Sequence, residues 1–233
     1  MGSSNMGVKE PMKMAEATLI LKIDPTADDA AAFAPAAAAL RADGLMAFPT
    51  ETFYGLGGLA FSARAVERIY ALKRRDRGKP LSVVIADLDM ADEIAGPLSP
   101  LFLDLARAFW PGPLTLIARA RPLFPPAMLG PGGSLAMRVP GANWLRGFLR
   151  MLGAPVTATS ANLSGEAEIS RPEEIIGLFR GKVEIIVDGG PTPGGLPSTI
   201  VDLTAAPPRL LRAGAVPEEA LRPFLGPASA ALT

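Results

Sequence analysis

The sequence predicts an α/β fold, a single domain in which a twisted, open, mixed sheet is flanked by helices. Seven or eight short apolar runs of strand length alternate with four or five segments whose apolar residues recur at helical spacing. Several connections are too short for a crossover helix, so some neighbouring strands must be antiparallel. With 233 residues, 49% of them hydrophobic, the chain can bury one sizeable core.

Composition excludes several classes of chemistry. The chain has no cysteine and no histidine, which removes cysteine nucleophiles, Ser-His-Asp triads, disulfides and the usual zinc sites. Its 23 Lys and Arg balance 23 Asp and Glu, so the chain as a whole has no electrostatic attraction to nucleic acid or membrane. We find no signal peptide and no run of 18 apolar residues, and we expect a cytoplasmic protein that does not enter a membrane.

The N-terminal part leads through two strands and a helix to a polar loop. Residues 1–15 lack periodicity and are interpreted as a disordered leader or an expression remnant, while 16–216 form the folded domain. We assign strands to 19–23 and 45–48, and between them an alanine-rich helix that ends before Asp43-Gly44. Pro49 ends the second strand because it cannot donate to a sheet.

Residues 48–58 read Phe-Pro-Thr-Glu-Thr-Phe-Tyr-Gly-Leu-Gly-Gly, and a polar pocket is expected around them. Four side chains bring hydrogen-bonding groups to a strand end, namely Thr50, Glu51, Thr52 and Tyr54. The glycines allow a tight turn or a close approach to a ligand. The spacing matches neither the G-x-x-x-x-G-K-[ST] nor the G-x-G-x-x-G phosphate-binding pattern. On residue types alone, a small-molecule site and a plain strand-to-loop turn are both open.

A helix capped by Ser62, with Ile69, Tyr70 and Lys73 on its inner face, leads into the most basic segment. Residues 73–80 read Lys-Arg-Arg-Asp-Arg-Gly-Lys-Pro, and the first seven of these positions hold five cations. These cations either offset the macrodipole at a solvated helix end or form an anion site.

The rest of the chain continues the alternation. We expect strands at 81–86, 114–118, 135–139, 156–160, 183–187 and 198–202, with 209–214 closing the ordered set, and helices at 99–109, 143–152, 170–180 and early in 217–233, which otherwise forms a tail. Ser170 and Glu173 fit a capping box. Arg138 lies on a strand that is otherwise apolar, and it requires either an anionic partner or an edge strand that faces solvent.

Seven motifs, in this order, resemble the YrdC-like threonylcarbamoyl-AMP synthase family: PTETFYGLG, KRRDRGKPL, WPGPLT, MRVPG, TSANLSG, PSTIVD and LLRAG. The match covers residues 19–216 and fits the short bacterial type. The resemblance implies a YrdC-like open sheet with a concave basic cavity. It also implies a nucleotidyltransferase that uses L-threonine, bicarbonate and ATP, with Mg²⁺, to form threonylcarbamoyl-AMP and pyrophosphate. Partner proteins would then complete the modification of tRNA adenosine 37.

The resemblance further implies the site residues. Those expected around threonine are Thr50, Thr52, Tyr54, Ser198 and Arg138, the last pairing the carboxylate. Those expected around ATP are Lys73, Arg75, Lys79, Ser134, Ser160, Asn162 and Arg212, with Lys73 and Arg75 stabilising phosphate charge and no protein nucleophile. Mg²⁺ ligands are not assigned, although Glu168, Asp188 and Asp202 are candidates by position, and the loop 191–197 is a candidate lid.

The chain departs from the family pattern at two positions. Arg74 stands where many members have glycine, and Val84 where many have a histidine, which puts one threonine contact in question. Two alternatives therefore stay open: an inactive nucleotide-binding paralogue, and a non-catalytic RNA-binding module whose basic block contacts tRNA or double-stranded RNA. Zero net charge and 6% aromatic content disfavour the RNA-binding alternative, because single-strand readers stack bases on aromatic rings.

Overall fold

The computed structural model describes residues 17–26 and 30–225, so the predicted leader at 1–15 and the tail after residue 225 lie outside the described residues. The strands are β1 Leu19–Lys22, β2 Leu45–Pro49, β3 Tyr54–Gly58, β4 Ser82–Val84, β5 Leu114–Arg119, β6 Ser134–Arg138, β7 Val156–Ser160, β8 Ile185–Asp188, β9 Thr199–Asp202 and β10 Arg209–Arg212. The α-helices are α1 Ala34–Arg41, α2 Ala63–Lys73, α3 Leu88–Ile94, α4 Pro100–Phe109, α5 Asn143–Leu152, α6 Pro172–Phe179 and α7 Glu218–Leu225.

The ten described strands form one mixed sheet in the order β1-β8-β2-β3-β7-β4-β6-β5-β9-β10. β8 is parallel to both of its neighbours, β4 is parallel to β6 and β5 to β9, and the other five neighbouring pairs are antiparallel. Helices pack on this sheet, among them α2 on β3, α4 on β5 and α6 on β8. The predicted fold class, a single α/β domain with an open mixed sheet and flanking helices, is confirmed.

Several helix ends lie where the sequence predicts them. The Ser62 hydroxyl accepts a hydrogen bond from the Ala65 amide at 3.0 Å at the start of α2, and Gly153 ends α5 with φ 68°. Arg74 ends α2 in the left-handed region, with φ 51°. This conformation costs a residue with a Cβ roughly 1–2 kcal/mol. The cost gives a physical reason for the glycine that the family resemblance assigns to this position.

The polar loop predicted after Pro49 is shorter than the sequence suggests, because residues 54–58 form the buried strand β3. Their glycines serve the packing of the sheet: a Cβ at Gly57 would lie 1.9 Å from the carbonyl oxygen of Thr157 on β7, and one at Gly58 would lie 2.9 Å from the Cβ of Ala65 on α2. Glycine-rich sequence therefore indicates close backbone approach here rather than a flexible turn.

Two predictions about helices also need correction. Helix α3 was not predicted from the sequence. It begins where the Asp87 carboxylate accepts a hydrogen bond from the Met90 amide at 3.1 Å. The capping box at Ser170 is wrong, because Arg171 is the residue before α6 and it makes no capping bond through its side chain. Pro172 occupies the first turn, where its fixed φ suits a helix start and its missing N–H leaves no donor to satisfy.

Alternation along the central strands separates the core from the opposite face of the sheet. Leu116 and Met137 are fully buried in the core, whereas Thr115, Ile117 and Arg138 lie on the other face and line a cavity. In the part of the chain that the structure describes, no helix is long and apolar enough to cross a membrane.

Candidate functional site

One face of the sheet forms the floor of a cavity of about 580 Å³. The strand register aligns its floor residues in two rows across the sheet, the first comprising Ala158, Ser82, Ala136, Ile117 and Asp202, and the second Val84, Arg138, Thr115 and Ile200. Most of these side chains are small or aliphatic. Arg138 is the cation in the middle of this surface.

Loops form the walls of the cavity. They contribute Thr50, Thr52 and Phe53 after β2, Arg75 and Pro80 after α2, Gly130 and Pro131 before β6, Glu168 after β7, and Pro197 and Ser198 before β9. The charged lining residues are Arg75, Arg138, Arg209 and Arg212 against Glu168 and Asp202. The lining therefore carries more positive than negative charge, which favours an anionic ligand.

The cavity brings together nine of the twelve predicted site residues: Thr50, Thr52, Tyr54, Arg75, Ser134, Arg138, Ser160, Ser198 and Arg212. The other three, Lys73, Lys79 and Asn162, do not belong to its lining. Of the three candidate Mg²⁺ ligands, Glu168 and Asp202 line the cavity and Asp188 does not.

Lys73 is 2% exposed and supports the turn that follows β7. Its ammonium donates to the carbonyl oxygen of Ser160, to that of Asn162 at 2.7 Å and to Oδ1 of Asn162 at 3.2 Å. The Ser160 hydroxyl donates to the same Oδ1 at 2.6 Å. Burial, and to a lesser extent the charge of Arg75, lowers the pKa of Lys73 to about 8. Lys73 and Asn162 thus fix the position of Ser160 in the cavity wall.

Within the basic block, Arg75 is the cation that lines the cavity. Its Nε donates to the Lys79 carbonyl and its Nη2 to the Pro80 carbonyl, both at 3.0 Å. Arg77 instead forms an exposed ion pair with Glu67. The two interpretations of this block therefore apply to different residues: Arg75 contributes to the cationic cavity, while Arg77 stays at the surface.

Arg138 is 9% exposed, and its Nη1 donates to Oε1 of Glu51 in an ion pair. The prediction that this arginine has an anionic partner is confirmed. The alternative of a solvent-facing arginine on an edge strand is wrong, because β6 lies between β4 and β5 inside the sheet.

Ser198 is held by a second arginine and by a threonine. Its hydroxyl lies 2.9 Å from Oγ1 of Thr115 and accepts from Nη2 of Arg212 at 2.9 Å, and its carbonyl accepts from Nε of Arg212 at 2.9 Å. Burial lowers the pKa of Arg212. Thr115 was not predicted as a site residue, although alternation within Leu114-Thr115-Leu116 places it on the face opposite both leucines.

The loop between β2 and β3 is ordered by its own side chains. The Thr50 hydroxyl donates to the Phe53 carbonyl at 2.7 Å and accepts from the Thr52 amide at 3.2 Å. The Tyr54 hydroxyl donates to the Gly190 carbonyl at 2.8 Å, and burial raises the pKa of Tyr54 to about 12. Tyr54 therefore remains a neutral donor at physiological pH.

Comparison with known proteins identifies the family. The family model Sua5_yciO_yrdC, described as telomere recombination, matches residues 38–214. The chain belongs to the Sua5/YciO/YrdC family. The resemblance predicted from the seven motifs is thereby confirmed.

Two curated relatives of this chain are named threonylcarbamoyl-AMP synthase. The protein from Pyrococcus abyssi is 38% identical over 191 residues, which is 82% of this chain and 56% of the relative. The protein from Bacillus subtilis is 38% identical over 195 residues, which is 83% of this chain and 56% of the relative. The chain thus spans little more than half the length of these two relatives.

A solved structure of P. abyssi Sua5 complexed with L-threonine superimposes on the chain with a TM-score of 0.84 at 35% identity. The superposition covers 90% of this chain and 61% of the other. The Sua5/YciO/YrdC fold is therefore shared across nearly all of the described residues.

Proposed function

We propose that this protein is a threonylcarbamoyl-AMP synthase, a nucleotidyltransferase that converts L-threonine, bicarbonate and ATP into threonylcarbamoyl-AMP and pyrophosphate. The observation that carries the proposal is Arg138, a nearly buried guanidinium on the cavity floor, with the hydroxyls of Thr52 and Ser198 in the same lining. A planar guanidinium can bind a carboxylate through two parallel hydrogen bonds. The L-threonine bound to P. abyssi Sua5, whose fold this chain shares, supports the choice of amino acid.

The reaction requires no protein nucleophile. The threonine amine attacks the carbon of bicarbonate, a C–O bond of bicarbonate breaks and water leaves, which gives a carbamate. A carbamate oxygen then attacks the α-phosphorus of ATP, and pyrophosphate leaves. The protein must hold the reactants together and stabilise negative charge on the phosphates. Arg75 and Arg212 are the cavity-lining cations suited to that charge, and Lys73 acts by holding Ser160 in the wall. A chain without histidine or cysteine can therefore support this chemistry.

Mg²⁺ would enter with ATP and neutralise phosphate charge. Among the described residues no group of three or more Asp, Glu, His or Cys side chains could hold a metal ion. The lining does contain single carboxylates, Glu168 and Asp202. This donor set fits an ion whose ligands are mostly phosphate oxygens. Water and at most one carboxylate would complete its coordination shell.

The product is a mixed anhydride, so its threonylcarbamoyl group is ready for transfer to another nucleophile. We place the protein before the tRNA-modification partners that would transfer this group to adenosine 37. The names of the relatives do not favour the RNA-binding module or the inactive paralogue.

The test is pyrophosphate release from ATP and Mg²⁺, with bicarbonate and each amino acid supplied in turn. We expect release that requires both bicarbonate and L-threonine. Pyrophosphate release without threonine, or equal release with every amino acid, would contradict the proposal. A folded protein that binds ATP but releases no pyrophosphate would also contradict it.

A matched pair of variants tests the assignment of Arg138. Arg138→Ala should abolish threonine-dependent release at ordinary threonine concentrations because the carboxylate loses its partner. Arg64→Ala, at an exposed position on α2, should leave the rate unchanged. Circular dichroism confirms folding of both, and full activity of Arg138→Ala would remove this residue from the site.

A further inference from the structure

Glu51 contacts Arg138 from outside the cavity. Its sequence neighbours Thr50 and Thr52 line the cavity, whereas Glu51 does not. The carboxylate nevertheless accepts a hydrogen bond from Nη1 of Arg138. The side chain of Glu51 is 22% exposed and that of Arg138 is 11% exposed. Glu51 therefore occupies one Nη1 donor of a guanidinium whose residue lines the cavity, without itself belonging to the lining.

The second carboxylate oxygen of Glu51 is in an unfavourable environment. Oε2 is buried, and no hydrogen-bond donor reaches it among the described residues. A buried carboxylate oxygen without a donor destabilises the folded state, and a buried ion pair by itself contributes little to stability. Stability alone therefore does not account for Glu51, and its contact with Arg138 is the interaction that needs an explanation.

The backbone around Gly141 leaves space for Glu51 and restricts its movement. A Cβ at Gly141 would lie 3.2 Å from Cγ of Glu51 and 3.4 Å from its Cβ and Cδ. Nη1 of Arg146 donates to the carbonyl oxygens of Pro140 and Gly141, both at 2.8 Å, and fixes this turn. Glu51 is consequently packed between a fixed backbone segment and Arg138.

Arg138 has N–H donors that Glu51 does not use. A guanidinium carries five N–H donors in a planar fork. Glu51 supplies the acceptor that Arg138 contacts among the described residues, through one Nη1 donor. Arg138 lines the cavity, and the direction of its remaining N–H donors depends on how the guanidinium is rotated. The contact with Glu51 restricts that rotation.

We propose that Glu51 is a positioning residue that orients Arg138 so that its free edge binds the carboxylate of the amino-acid substrate. The identity of that substrate rests on the proposed function, whereas the orientation of Arg138 does not. Glu51 acts through Arg138 without touching the substrate. Its loss should therefore weaken amino-acid binding and leave ATP binding and the chemical step in place.

Steady-state kinetics of pyrophosphate release distinguish positioning from general damage. Glu51→Gln keeps the shape of the side chain and removes its charge; we expect the KM for threonine to rise about tenfold or more, with kcat and the KM for ATP within about twofold. Glu51→Asp, which keeps the charge on a shorter side chain, should recover part of the loss. Gly141→Ala displaces Glu51 from the opposite side and should reproduce the rise, whereas Gly177→Ala, with nothing within 4 Å of the added Cβ, should not.

A second readout is independent of turnover. The guanidinium resonances of Arg138 in the ¹⁵N NMR spectrum are assigned by their loss in Arg138→Lys. In the wild type we expect separate signals for the two Nη groups, because rotation of the guanidinium is hindered. In Glu51→Gln we expect these signals to average to one. Averaged resonances in the wild type would overturn the proposal. An unchanged KM for threonine in Glu51→Gln would also overturn the proposal. A lower KM would overturn it as well, because it would mean that Glu51 competes with the substrate. If the wild type never uses threonine, the proposed function fails while the NMR measurement still decides the orientation of Arg138.

Discussion

At the scale of single residues, Lys73 shows how a buried cation can act through the backbone. Its three N–H donors meet three acceptors on Ser160 and Asn162, so its charge is used inside the protein rather than on the cavity surface. The same burial that makes the contact with Ser160 possible lowers the pKa of Lys73 to about 8. Substitution of this residue should therefore affect both stability and the shape of the cavity wall.

The pKa of Lys73 predicts a pH dependence of stability. The folded value of about 8 lies below the ordinary value of 10.5, so between these pH values the unfolded chain binds more protons at this residue than the native protein. The free energy of unfolding contributed by Lys73 therefore rises with pH through this window, by on the order of 3 kcal/mol. Lys73→Met removes the titrating group.

Urea unfolding of wild type and Lys73→Met from pH 7 to 10.5 measures this contribution. We expect the stability of the wild type relative to the variant to increase with pH above about 8. A constant difference across the range would show that burial does not perturb the ammonium.

At the scale of the elements, the close pairing of β3 with its neighbours shapes one side of the cavity. β3 lies between β2 and β7, and its register places Gly55 opposite Ser160. The absence of side chains on Gly57 and Gly58 allows β7 and α2 to approach this strand. The hydroxyls of Thr52 and Ser160 consequently lie in the same cavity lining.

Gly57→Ala tests this packing. The added Cβ would meet the Thr157 carbonyl oxygen at 1.9 Å, and a backbone atom cannot move aside as a side chain can. We expect a loss of roughly 3 kcal/mol in the free energy of unfolding, measured by urea denaturation. Gly177→Ala in α6 is the control and should stabilise the protein by about 0.5–1 kcal/mol. Equal stability of Gly57→Ala and wild type would refute the close approach.

At the scale of the whole molecule, the loop before β9 connects the two sides of the cavity. The Gly194 amide donates to the Thr52 carbonyl at 2.8 Å, while Pro197 and Ser198 line the cavity. Leu196 is 60% exposed. The loop 191–197 therefore borders the cavity. The closure over a ligand that its glycine- and proline-rich sequence suggests stays a prediction.

Limited proteolysis tests closure of this loop. Proteinase K, a protease of broad specificity, should cut within the loop 191–197 in the free protein, and ATP with threonine should slow that cut several-fold because the loop would fold over the ligand. Cleavage at other exposed sites, such as Leu123, 50% exposed, serves as the control. Equal slowing at both sites would indicate general stabilisation instead of a lid.

The sequence by itself determined the fold class, most helix boundaries and the family, because these depend on local periodicity, caps and ordered motifs. It also indicated that Arg138 needs a partner. Only the tertiary structure decided that Glu51 is this partner and that Lys73 serves Ser160 instead of lining the cavity. These pairs are 87 residues apart in the chain. Such contacts depend on strand order and register, which local patterns do not encode.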